Sequence, residues 1–192
     1  MGIRNFLFSY RSFTPIPLAI SLIYFSKPVY PYSSIGLALI FLGEYIRISS
    51  VRYAGGITRT TKVGAPSLCV AGPYSRTRNP LYLGNVVIYC GVAILAGGPF
   101  LFEMVLATFF FFIFQYWMII SLEEETLYSL FNIEYSNYCK NVPRLAPRLT
   151  PWKGGDKNNP LPLKKVINTE KRTLQNILIF IFIIYSKSYL DL

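Results

Sequence analysis

"LYLGNVVIYCGVAILAGGPFLFEMVLATFFFFIFQYWMIISL", residues 81–122, is two apolar runs separated by Gly97, Gly98 and Pro99. The first covers Leu81 to Gly97 and the second Phe100 to Leu122. A hydrocarbon core about 30 Å thick takes roughly 20 helical residues to cross. Each run approaches that length, and a Gly-Gly-Pro junction is a tight turn with no room for a loop. The stretch therefore predicts an antiparallel helical hairpin in a membrane. The residues just before Leu81 and just after Leu122 then lie side by side, at one depth.

The rest of the chain repeats the pattern. A run from about Ser34 to Val51 predicts another span, with Glu44 and Arg47 three apart on one helical face, so each can partner the other. The run from about Phe13 to Tyr32 is the weakest span, because Pro15, Pro17, Pro28 and Pro31 crowd its ends and Lys27 lies inside them. Lys27 can snorkel if the helix ends near Phe25. The N-terminus lacks a small-residue cleavage site after this run and reads as a retained first helix. The last apolar run, Leu174 to Tyr185, is short for a crossing and stays open between a fifth span, an interfacial helix and a docking helix. The expected fold is all-α: a multi-pass membrane bundle of four core spans, with that C-terminal helix added. The division expected along the chain is a membrane domain over 1–148, a polar linker over 149–173 rich in Pro and Gly, and a C-terminal hydrophobic helix over 174–192.

Composition agrees with a membrane protein: 53% of the 192 residues are hydrophobic and the formal charge is +10. A basic balance invites a nucleic-acid partner. The cations, however, fall between spans. Arg4 and Arg11 precede the first. Arg52, Arg59, Lys62, Arg76 and Arg78 lie between the second and third, and Lys140, Arg144, Arg148, Lys153, Lys157, Lys164, Lys165, Lys171 and Arg172 follow the fourth. The two opposite loops hold Lys27 and nothing else. The positive-inside rule accounts for this without nucleic acid, and it predicts both termini and the 52–80 loop in the cytoplasm.

Three cysteines, Cys69, Cys90 and Cys139, show neither disulfide nor metal spacing. The chain has no histidine, which excludes Ser-His-Asp and Cys-His catalysis and any His-dependent metal site. No metal is expected.

The polar residues at the open end of the hairpin need a reason. "GPYSRTRNPLYLG" (72–84) places Arg76, Arg78 and Asn79 at the threshold of one helix, and Glu123, Glu124 and Glu125 stand at the exit of the other. Read alone, the three acids are charges ending a hydrophobic helix. Facing Arg78 and Asn79 across a helical pair, and lined by Tyr74 and Tyr82, they suit a zwitterion that also carries an aromatic ring. Ionisable clusters at the membrane rim are functional candidates by default.

These two segments, "GPYSRTRNPLYLG" and, about 40 residues on, "EEETLYSLFNIEYSNYCKNVPRLAP", resemble the isoprenylcysteine carboxyl methyltransferase and phospholipid methyltransferase superfamily over roughly Gly43 to Pro147. The resemblance implies an integral-membrane enzyme that uses S-adenosylmethionine and methylates a hydrophobic or lipid-linked acceptor at the cytosolic face. It implies a cofactor pocket of Leu68, Cys69, Tyr74, Asn79, Pro80, Leu81, Tyr82 and Glu123, with Glu124 close by. Glu123 or Glu124 would hold the ammonium or ribose, Arg78 and Asn79 would address the carboxylate or order the loop, and Tyr74 and Tyr82 would lie against the adenine or the sulfonium. Arg144 in "VPRLAP" would close the pocket or bind an acidic headgroup, or is one more cytoplasmic cation.

Three positions depart from the superfamily pattern. Asn79 stands where it has histidine, Asn132 where it has glycine, and Ile119 where the prenylcysteine enzymes have an arginine associated with substrate. Asparagine tolerates left-handed backbone, so Asn132 is compatible. Ile119 speaks against a prenylcysteine carboxylate and leaves the acceptor open. A sterol-reductase-like enzyme using NADPH and a non-catalytic membrane subunit are the alternatives. Finally, Leu127, Leu130, Phe131 and Tyr135 recur at helical spacing and predict an amphipathic helix beyond the membrane, packed through Glu134, Tyr135 and Tyr138.

Overall fold

Two glycine pairs decide how the central helices meet. In the computed structural model, which describes residues 2–55, 67–154 and 159–190, six α-helices are present among the described residues. They are α1 (Ile3–Ser9), α2 (Ile16–Tyr24), α3 (Tyr32–Ala54), α4 (Pro80–Ala96), α5 (Leu101–Asn141) and α6 (Leu163–Tyr189). Gly36 and Gly43 on α3 face Gly91 and Gly84 on α4, seven residues apart on each helix. A Cβ built on Gly43 would lie 2.8 Å from the Gly84 carbonyl oxygen, and one on Gly84 would lie 2.9 Å from that of Gly43. The two backbones touch, as small-residue seams allow in membranes. Gly84→Leu is therefore expected to cost about 3 kcal/mol through forced separation of α3 and α4. Thermal unfolding in detergent reads this directly, and a melting temperature unchanged from the parent protein refutes the seam.

The hairpin forms as expected. Gly97 (φ 63°) and Gly98 (φ 91°) turn the chain from α4 into α5 in backbone that favours glycine. Lys27 N–H donates to Ala96 C=O at 2.7 Å at this turn. The helix α3 and the helix α5 are long and apolar enough to cross a membrane, while α4 is a shorter apolar helix of 17 residues. Large apolar side chains stand outward from them, among them Phe41, Phe102, Phe110 and Phe114. Such a belt would be penalised in water and is at home against lipid.

The first expected span, Phe13–Tyr32, is corrected. Only Ile16–Tyr24 is helical there, nine residues or about 14 Å, because Pro15 and Pro17 confine helix formation to the segment they begin and the chain leaves the helix before Pro28. The N-terminal segment nonetheless runs the length of the bundle. Arg4 pairs with Glu125. Thr14 donates its hydroxyl to Gln115 at 2.6 Å, and Lys27 reaches the turn at Ala96.

The stretch expected as a polar linker over 149–173 is helical from Leu163 onward, and α6 reaches Tyr189. Pro162 starts it, and Val166, Glu170 and Ile184 are its buried side chains. Arg47 pairs with Glu44 as expected, and with more than Glu44. Its Nε lies 3.7 Å from Glu44, within ion-pair range, and its guanidinium also bonds to Glu170 of α6 and to Asn85 of α4. Lys187 Nζ, near the end of α6, donates to Tyr24 C=O at 2.8 Å and to Ser26 C=O at 3.2 Å. That is the hairpin-turn end of the bundle, whereas Arg4 is at the end bearing Glu125. The start of α1 and the end of α6 therefore lie at opposite ends of the bundle, whereas the expectation places both termini on one side. Arg59, Lys62 and Lys157 lie outside the described residues.

Candidate active site

The open end of the hairpin is assembled by two segments without regular structure. Residues before α4 pass through a 3₁₀ turn at Gly72–Ser75, and Pro80 then opens the helix, where its missing N–H costs nothing. After α5, Pro143, Pro147 and Pro151 keep the chain out of helix. This second segment straps onto the first. Arg78 N–H donates to Pro143 C=O, Arg148 N–H to Arg76 C=O and Trp152 N–H to Ser75 C=O, each at 2.9 Å. The Thr77 hydroxyl reaches Arg144 C=O (3.2 Å) and Leu145 C=O (3.1 Å). Asn79 makes no cap bond to its helix; its Nδ2 donates to Arg144 C=O at 3.0 Å.

Inside this frame the two neighbouring glutamates point to different surroundings. Glu124 is held from both sides. Arg78 donates to its Oε1 through Nε (3.0 Å) and Nη2 (2.8 Å), and Arg144 Nη2 lies 2.8 Å from its Oε2. Arg78 also donates through Nη1 to Val142 C=O (2.8 Å) and Cys139 C=O (3.3 Å). Burial works against its charge, and the Glu124 carboxylate more than compensates, so the guanidinium is held more firmly charged than usual. Arg144 lies over the Trp117 ring, 4.3 Å from its centroid, and donates to Ser121 Oγ at 2.9 Å. Its Nε is buried with no hydrogen-bond partner.

Glu123 faces the other way and accepts the Tyr82 hydroxyl at 2.8 Å. The Tyr82 ring lies 4.8 Å from that of Tyr116, which continues into Phe112 and Tyr89. Burial pushes the Tyr74 phenol upward, with Cys69 and Glu123 adding to it, so Tyr74 stays a neutral hydroxyl beside these two groups. Its carbonyl receives the Tyr138 hydroxyl at 2.6 Å.

Of the expected site residues, the structure brings Tyr74, Tyr82 and Glu123 together, and beside them Arg78, Asn79, Glu124 and Arg144. Leu68 packs with Val70, Tyr135, Tyr138 and Val142, Pro80 is fully enclosed, and Leu81 lies beside Tyr82 on the wall of a cavity. Cys69 is a partly exposed thiol outside any disulfide. The amphipathic helix expected beyond the membrane is the continuation of α5, in which Tyr135 and Tyr138 are buried while Leu130 is exposed. Asn132 bends it with φ 37°, a backbone that asparagine tolerates better than most side chains. Ile119 is fully buried against Phe112, Tyr116 and Ile120.

Four polar residues were not among the expected site residues: Arg11, Arg47, Asn85 and Glu170. All line the cavity beside Tyr82. Arg47 and Asn85 interrupt apolar helices, which is the signal that could have found them. Glu170 carried none, since its meaning depends on where α6 docks. Among the described residues no cluster of His, Cys, Asp and Glu could hold a metal ion.

A family model described as phospholipid methyltransferase matches residues 32–133, just over half of the chain. No curated protein and no solved structure matches it. The matched segment runs from the start of α3 to the bend in α5, and α1, α2, the strap and α6 lie outside it.

Proposed function

This chain belongs to the phospholipid methyltransferase family, and from that premise we propose that it is an integral-membrane enzyme transferring a methyl group from S-adenosylmethionine to a lipid or another hydrophobic acceptor at the cytoplasmic face. The observation that carries this reading is the pair of neighbouring carboxylates at the hairpin's open end. One, Glu124, is neutralised by two arginines; the other, Glu123, is bonded to a tyrosine hydroxyl at the mouth of a cavity.

The donor set suits such a cofactor. Glu123 offers a carboxylate for its ammonium or ribose hydroxyls, the buried unpartnered Nε of Arg144 offers a donor for a carboxylate, and the rings of Tyr74 and Tyr82 suit an adenine or a cation. Leu68, Cys69, Asn79, Pro80 and Leu81 complete its surroundings. Arg78 and Glu124 act as positioning residues, since each is engaged by the protein itself. When bound, S-adenosylmethionine would supply a methyl group on a cationic sulfur, open to displacement by the acceptor's lone pair. The protein's part is to align the acceptor and exclude water. An amine or phenol acceptor also releases a proton, for which Glu123 or water is the base in a chain without histidine.

The end bearing Arg4, Arg76, Arg78 and Arg144 is cytoplasmic under the positive-inside rule. Residues 1–148 carry the transfer machinery in a bundle with four passes, counting the broken N-terminal segment, and α6 adds a further pass outside it. The test is incubation of membranes containing the protein with S-adenosylmethionine labelled in its methyl group, followed by separation of lipid and protein. Label in the lipid fraction, absent with Glu123→Ala, is the expected result; no label in either fraction overturns the reading.

A further inference from the structure

Glu170 belongs to a helix outside the family-matched segment, yet it is 1% exposed and bonded into the bundle. A carboxylate taken out of water needs a charged or hydrogen-bonding partner. Arg47 of α3 provides it, donating through Nη2 to Glu170 Oε2. The contacts do not end there, because Arg47 Nη1 donates to Oδ1 of Asn85 on α4.

That bond decides which way the Asn85 amide faces. With Oδ1 taken by a guanidinium, the NH₂ group is the end left for the Tyr116 hydroxyl of α5, which Asn85 also meets. The Tyr116 oxygen therefore accepts, and its own hydrogen is directed to the Tyr89 hydroxyl, one turn beyond Asn85. Tyr116 is 5% exposed, and the Tyr82 ring packs on it with centroids 4.8 Å apart. Tyr82 in turn donates its hydroxyl to Glu123 at 2.8 Å. One run of contacts thus leads from α6 through α3, α4 and α5 to the carboxylate assigned to the cofactor.

Arg47 also has another carboxylate within reach. Glu44, one turn back on α3, lies 3.7 Å from its Nε, and neither Glu44 oxygen accepts a hydrogen bond among the described residues. Two carboxylates on different helices draw on one guanidinium. A planar fork that serves Glu170 and Asn85 together is fixed in orientation, so Glu170 keeps Arg47 turned toward Asn85 and away from Glu44.

We propose that Glu170 and Arg47 are positioning residues for Glu123: by docking α6 they set Asn85, Tyr116 and Tyr82 in the arrangement that presents the Tyr82 hydroxyl to that carboxylate. The proposal rests on the methyltransferase reading for what Glu123 then binds, and its first measurement uses no cofactor.

The full chain in nanodiscs, without S-adenosylmethionine, is treated with a carbodiimide and glycine ethyl ester. Tandem mass spectrometry reads the rates at Glu123, Glu124 and Glu125, with exposed Glu125 as the internal standard. Glu170→Gln and Tyr116→Phe are each expected to speed modification of Glu123 about fivefold, the contribution of one hydrogen bond. Glu124 is expected to keep its rate, since Arg78 and Arg144 hold it independently of α6. The double variant is expected to match either single one, because both cut the same chain; independent effects would multiply to about 25-fold. Lys187→Met releases α6 from the Tyr24 and Ser26 carbonyls at the other end of the bundle and is expected to leave Glu123 at the parent rate. Calorimetry with S-adenosylmethionine is expected to give the same order, about fivefold weaker binding for each single variant and for the double.

Multiplying effects in the double variant overturn the proposal. So does a Lys187→Met protein that behaves like Glu170→Gln, since α6 then acts through docking alone, and so does faster modification of Glu124, which marks general loosening. If Glu123 responds as expected but the parent protein binds no S-adenosylmethionine, the positioning chain stands and the cofactor reading fails. If the cofactor binds and Glu123 is unmoved by Glu170→Gln, the chain fails and the enzyme reading stands.

Discussion

Glu123→Ala abolishes productive retention of S-adenosylmethionine: its dissociation constant is expected to rise about 100-fold. Glu123 accepts the Tyr82 hydroxyl at 2.8 Å and feels the charge of Arg11, whereas Glu124 is bonded by Arg78 and Arg144. A hydrogen bond to a charged group contributes about 1.5–3 kcal/mol, and 1.4 kcal/mol is a factor of ten in affinity. Alanine removes the charge and also leaves the Tyr82 hydroxyl without its acceptor, so both losses act together. Glu123→Gln keeps an acceptor for Tyr82 and loses only the charge, and a rise of about tenfold is expected for it. Glu125→Ala is the control, because Glu125 is exposed and meets only Arg4 at the surface. Calorimetry in nanodiscs distinguishes these outcomes. A Glu123→Ala protein that binds the cofactor within twofold of the parent would falsify the assignment of this carboxylate.

The second large effect falls on stability. Arg78→Met is expected to destabilise the fold by about 3 kcal/mol, the range for breaking a mostly buried ion pair. For a chain of this length that lowers the melting temperature by roughly 6–12 °C. Arg78 engages Glu124 with two nitrogens and the carbonyls of Cys139 and Val142 with the third, so one side chain joins the threshold of α4, the exit of α5 and the start of the strap. Arg78→Lys recovers little of this, because an ammonium cannot present a planar fork to a carboxylate and two carbonyls at once. Arg76→Met, two residues away, removes bonds from an exposed guanidinium to Leu149 and Arg148 and is expected to change the melting temperature by no more than 2 °C. If Arg78→Met and Arg76→Met melt together, Arg78 does not position this site. The double substitution Arg78→Met with Glu124→Gln should then cost less than the sum of the two single changes, the mark of a direct pair.

Both expectations draw on features that were legible in the chain in unequal measure. The Gly97–Gly98–Pro99 junction between two apolar runs has one compact solution, so the meeting of the 72–80 segment with residues 123–125 followed from local chemistry. Asn132 was likewise legible as standing where the superfamily pattern has glycine, and it breaks the helix with positive φ, 37°. The first span was not. Its apolar count suggested a crossing, but its prolines permit only nine helical residues, and a window of hydropathy does not register where helix can begin.

What local pattern could not decide was rotation and distance. Adjacent residues on a helix differ in direction by about 100°, so Glu123 and Glu124 are equivalent in the sequence and meet different partners in the fold. Only the packing of α5 against the strap and α4 sends Glu124 to two arginines and Glu123 to Tyr82. Arg47 makes the same point over a longer range. Its spacing from Glu44 named a helical neighbour that it does meet, and its guanidinium also bonds to Glu170, 123 residues further along the chain, because α6 docks along the bundle. Spans, their order and the polar rim were written in hydrophobic length and turn residues, which act within a few positions of one another. The choice of carboxylate, the glycine seam and the docking of α6 were settled by contacts between distant segments, where burial and geometry select among partners that composition leaves equal.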